Sequence, residues 1–78
     1  MTLILQNEIT EMIELILGHR SIGPDDLLIE GFGAESADIA NIVVVLENKY
    51  RIHVPEARLA ALKTPRDFFS MVRETADG

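Results

Sequence analysis

The chain contains no cysteine, and its aromatic residues are one tyrosine and three phenylalanines. Without thiols there is no disulfide to staple the fold, no thiolate metal site, and no sulfur nucleophile supplied by the protein itself. Such a composition suits a reducing compartment. No apolar run approaches membrane-spanning length, and the opening Met1-Thr2-Leu3-Ile4-Leu5-Gln6-Asn7-Glu8 turns acidic without a basic leader. We therefore expect a soluble cytoplasmic domain that does not engage a membrane. Bases are scarce in the front of the chain. Residues 1–48 hold nine acids and one base, Arg20, whereas residues 49–78 hold four acids and six bases. A net charge of −6 argues against nucleic acid, because phosphate-backbone binding needs clustered Lys and Arg. The acidic front half would attract basic protein surfaces, although excess charge also simply keeps a surface solvated.

What is present is an apolar content of 47%, enough for one small core in 78 residues, and a dominant helical period. Leu5, Ile9, Met12, Ile13, Ile16 and Leu17 recur at three- and four-residue steps, with Glu8, Glu11 and Glu14 opposite. They predict a helix over about 3–17, stopped at Gly18. Residues 18–35 are rich in glycine and read as a long loop, pinned over the core by Leu28 and Phe32. A second helix should run from Ser36 to about Arg51, burying Ile39, Ile42, Val43, Leu46 and Tyr50. Its opposite face, with Ala37, Ala40, Asn41, Val44, Glu47 and Asn48, is small or mildly apolar and suits contact with another protein. Ile52-His53-Val54 should be extended. Pro55 then opens a short helical turn over about 56–61, with Ala57, Leu59 and Leu62 facing inward. Thr64 caps a last helix that starts at Pro65 and ends near Glu74, with Phe68, Phe69 and Val72 buried and Met71 at the margin. The expected fold is a single all-α domain over residues 1–78. It is a small four-helix bundle of three main helices and a short third one, with a long loop between the first two.

Little in the chain suggests catalysis. His19 and His53 have no partners at metal-ligand spacing, so no metal site is expected. A G-x-S-x-G elbow around Ser36 is ruled out by Ala34 and Asp38, and no P-loop or dinucleotide fingerprint occurs. Asp25 and Asp26 follow Pro24 and are explained by turn chemistry. A domain this small cannot enclose a substrate and surround it with catalytic groups, so an enzyme is not expected. The informative feature is Gly33-Ala34-Glu35-Ser36-Ala37-Asp38, a glycine-led turn that places a serine where a helix begins. Ser36 there can act as an N-cap, worth about 1 kcal/mol. Alternatively it can carry a phosphate-linked group, which free N–H groups and the helix dipole would stabilise.

Glu30-Gly31-Phe32-Gly33-Ala34-Glu35-Ser36-Ala37-Asp38, the helix Ile39–Tyr50 carrying Glu47 and Tyr50, and the return through Val54-Pro55 together resemble the acyl carrier proteins. The likeness covers nearly the whole chain. It implies that Ser36 is esterified by 4′-phosphopantetheine from coenzyme A, installed by a phosphopantetheinyl transferase. The arm's thiol would carry acyl or aminoacyl groups as thioesters to loading and transfer enzymes with basic docking patches. It further implies that Glu35, Ala37, Asp38, Ala40, Val44 and Glu47 face those partners, with the carrier acting as a monomer. Family members usually have aspartate at position 35, leucine at 37, and acids where Asn41, Asn48 and Lys49 stand here. These departures imply a specialised carrier with dedicated partners rather than a housekeeping one, its cargo a fatty, polyketide or aminoacyl group. The alternative is an unmodified helical interaction module in which Ser36 serves only as N-cap.

Overall fold

A computed structural model describes residues 4–77, and those residues form helices joined by short connections, with no strand. Helix α1 spans Gln6–Leu17 and buries Ile9 and Ile13 completely, while Met12, Ile16 and Leu17 pack partly against the core. It starts later than periodicity predicts. Leu5 is extended and serves as N-cap, and residue 3, the expected start, lies outside the described residues. Gly18 ends the helix at φ 72°, and its N–H donates to the Glu14 carbonyl at 2.9 Å. Residues with a Cβ adopt that left-handed conformation at a steric cost that glycine avoids.

Residues 18–35 are not one uninterrupted loop. Leu28–Phe32 forms a single-turn helix, α2, closed by Gly33 at φ 70°. Five residues are too few to display a period, and the turn is held from outside: the Leu28 N–H donates to the Lys63 carbonyl at 3.0 Å. Leu28 is fully buried as expected. Phe32 is half-buried and meets the His19 ring edge-on, with centroids 5.2 Å apart. Two further bonds moor the segment. The Ile22 N–H donates to Glu14 Oε2 at 2.8 Å, and the Arg66 N–H to the Pro24 carbonyl at 2.9 Å.

Helix α3, Ser36–Tyr50, buries Ile39, Ile42, Val43 and Leu46, the stripe its spacing predicts, while Tyr50 is half-buried. A 3₁₀ turn over Glu56–Ala61 follows. With three residues per turn, Leu59 and Leu62 align and point inward, but Ala57 falls off that line and is exposed, contrary to expectation. Helix α4, Pro65–Asp77, runs beyond residue 74. Its first turn is capped reciprocally: the Asp67 N–H donates to Thr64 Oγ1 at 3.2 Å, and the Thr64 N–H to Asp67 Oδ2 at 3.0 Å. Phe68, Met71 and Val72 form one buried stripe, so Met71 belongs to the core rather than its margin, and Phe69 is half-buried. The core lies where α1 meets α3 and α4. The bundle therefore has its three main helices and short third element, plus α2. Among the described residues no helix is long and apolar enough to cross a membrane.

Candidate attachment site and its pocket

The entry to α3 is built differently from the N-cap expected at Ser36. Glu35 occupies the cap position in extended conformation, and its N–H donates to Asp38 Oδ2 at 2.8 Å. The Glu35 carbonyl accepts from the Asp38 and Ile39 N–H groups at 2.9 and 3.2 Å. Ser36 is the first helical residue and is exposed. Its hydroxyl takes no part in the hydrogen bonds among the described residues, and the N–H groups of Ser36 and Ala37 find no partner there. The E-x-x-D spacing of Glu35 and Asp38 was the available signal for this cap. It was masked by the serine, the commoner capping residue.

Beside Ser36 lies a half-open cavity of about 270 Å³, walled by Ile29, Ile39, Leu59 and Leu62. Glu30 and Lys63 line it as well and bring one charge of each sign. Its walls come from α2, the first turn of α3 and the 3₁₀ turn with its exit, so their meeting depends on the tertiary fold. Sequence reasoning missed this pocket for that reason.

The other expected site residues are spread along α3. Glu35 and Ala37 flank Ser36 and are exposed, and Asp38 and Ala40 are half-buried. Val44 is 52% exposed and Val45 adjoins it at 38%, an apolar patch on the outer side of the helix. Glu47 lies about 16 Å from Ser36 along the axis at 1.5 Å per residue. Its Oε2 accepts from the Val54 N–H at 2.9 Å and sits 3.6 Å from His53 Nδ1. That carboxylate, with its side chain 25% exposed, latches the segment after α3 to the helix. Its neighbours on the open face are Asn48 and Lys49.

Groups with displaced titration stand elsewhere. The Arg66 guanidinium, hydrogen-bonded to Asp25 at 2.7 Å, holds that carboxyl below its usual range, and Asp25 in turn raises Arg66. Burial, and then the nearby charge of Glu8, push the Tyr50 phenol up. Among the described residues no three His, Cys, Asp or Glu side chains gather as a metal site. A free hydroxyl, two unpartnered N–H groups at the positive end of a helix, and an adjoining apolar cavity fit a phosphodiester that leads into a long arm.

The family model for the phosphopantetheine attachment site matches residues 7–72. The chain belongs to this family. It is similar to the acyl carrier protein of Helicobacter hepaticus, with 27% identity over 59 residues, covering 76% of this chain and 78% of that protein. The acyl carrier protein of Sulfurovum is 27% identical over 64 residues, covering 76% and 85% of the two chains. That of Campylobacter hominis is 27% identical over 67 residues, covering 80% and 85%. The helical architecture and the resemblance drawn from the residues around Ser36 agree with this membership. The family's proteins are carriers, not enzymes, and the domain takes 4′-phosphopantetheine covalently.

Proposed function

We propose that the protein is an acyl carrier whose Ser36 receives 4′-phosphopantetheine from coenzyme A. The observation that carries this reading is the exposed, unbonded Ser36 hydroxyl at the first turn of α3, beside an apolar cavity. In the loading step a bond forms between Ser36 Oγ and the phosphorus of the arm. The nucleotide part of coenzyme A leaves, and the hydroxyl proton passes to the phosphopantetheinyl transferase. The arm supplies the thiol that the chain lacks, and an acyl or aminoacyl group rides on it as a thioester. Tethering keeps that cargo at high effective concentration when partners dock.

What the protein itself contributes is presentation. Glu35, Ala37, Asp38, Ala40 and Val44 would face loading and transfer enzymes, with Glu47 at the far end of the same helix. Basic patches on those enzymes would be drawn by the acidic front half of the chain. Ala37, Asn41, Asn48 and Lys49 support a specialised carrier with dedicated partners, and we expect it to act as a monomer in the cytoplasm. The unmodified alternative needs Ser36 as the cap of α3, and Glu35 holds that position instead.

Intact-mass measurement after incubation with coenzyme A and a phosphopantetheinyl transferase tests the assignment. Wild type should gain the mass of one arm. Ser36→Ala should gain none, with unfolding free energy within about 0.5 kcal/mol of wild type because no cap is lost. A wild type left unmodified by a transferase that loads a control carrier would overturn the reading, as would a loaded alanine variant.

A further inference from the structure

We infer that Lys63 is the positioning residue for the phosphodiester on Ser36, holding the root of the arm at the cavity beside α3. The inference rests on the attachment proposed above. The surroundings of Ser36 are acidic: Glu35 precedes it, Asp38 follows two residues later, and Glu30 lines the same cavity. A phosphodiester there adds another negative charge that stays ionised at any working pH. The helix dipole and the N–H groups of Ser36 and Ala37 favour it, while three carboxylates oppose it.

Among the described residues lining the cavity, Lys63 alone carries positive charge. Its backbone is fixed from both sides. The Lys63 N–H donates to Asp67 Oδ2 at 2.9 Å, and its carbonyl accepts from the Leu28 N–H at 3.0 Å. Only the stem is free to move, and it can lie along the apolar wall while the ammonium reaches water. The ammonium is also available: the ion pairs among the described residues join His53 to Glu47, Arg58 to Glu74, and Arg66 to Asp25. Asp67, the acid nearest in sequence, is turned to the N–H groups of Lys63 and Thr64. Lys63 is thus an anchored, uncommitted cation on the wall of the cavity that Ser36 shares.

The test compares apo and holo forms of wild type, Lys63→Gln, Lys63→Arg and Lys49→Gln. The last removes the same charge at the opposite end of α3. At low salt, the change in Tm from apo to holo should be less favourable in Lys63→Gln than in wild type by roughly 2–4 °C. The phosphorus resonance of the holo form should move in that variant. Lys63→Arg should restore both readouts, Lys49→Gln should behave as wild type, and high salt should erase the difference. Equal apo-to-holo changes in wild type and Lys63→Gln, or an equal effect from Lys49→Gln, would overturn the role of Lys63 while leaving attachment intact. Failure of wild type to gain the arm by mass would overturn the attachment itself.

Discussion

Helices α1, α3 and α4 differ from α2 and the 3₁₀ turn in what holds them. Each long helix carries its own apolar stripe and would be placed by burial alone. Ile9 and Ile13, Ile42 and Leu46, and Phe68 and Val72 are all fully buried. The short elements bury little. Leu28 is the buried residue of α2, and the 3₁₀ turn has none. They are tied to groups far along the chain: in α2 the Leu28 N–H donates to the Lys63 carbonyl, and in the 3₁₀ turn the Arg58 guanidinium donates to Glu74 of α4. Ser36 stands on the strongly held part, while its cavity is walled largely by the weakly held part.

Three substitutions would break or sharpen that contrast. The largest effect is expected from Phe68→Ala, which empties the centre of the core. It should cost about 3–5 kcal/mol by urea unfolding, enough to lose most of a small domain's stability and the cavity with it. Retention of a cooperative transition near the wild-type midpoint would show that the long helices do not depend on that core. Glu14→Ala comes next. It removes the acceptor of the half-buried Ile22 N–H, at about 1 kcal/mol, and should accelerate amide exchange at Ile22 far more than in α4. Uniform acceleration would mean that the two regions open together.

The smallest effect should come from Asp25→Asn, which breaks the exposed ion pair between residues 18–35 and α4. Because Arg66 lowers the Asp25 pKa on folding, the pair stabilises fully above the ordinary aspartate value of 3.8. That contribution disappears as pH falls through the lower folded value. The Tm gap between wild type and variant should therefore be small and constant at neutral pH and close in strong acid. A gap that widens on acidification would contradict this sign.

Much of this was legible in the residues. The three- and four-residue steps located α1, α3 and α4, Gly18 and Thr64-Pro65 marked boundaries, and the turn before Ser36 placed that serine at a helix start. The misjudged positions have separate causes: Met71 stands three residues after Phe68 on the same buried stripe, Ala57 falls off the three-residue line of the 3₁₀ turn, and α2 is too brief to show a period. At Ser36 the competition between two cap chemistries was settled by Asp38 reaching back to the Glu35 N–H, a choice that composition leaves open.

The sequence by itself determined the helical class, the long helices and the exposed serine at a helix start, because a 3.6-residue period and turn chemistry act over a few neighbouring residues. Only the tertiary structure decided that Ile29, Leu59 and Lys63 would meet Ser36 around one cavity, and that Glu47 would latch Val54. Leu59 and Lys63 come from a segment far along the chain from Ser36, and Glu47 meets Val54 only because the chain turns back after α3; packing and hydrogen bonds between elements, not local propensity, select these meetings.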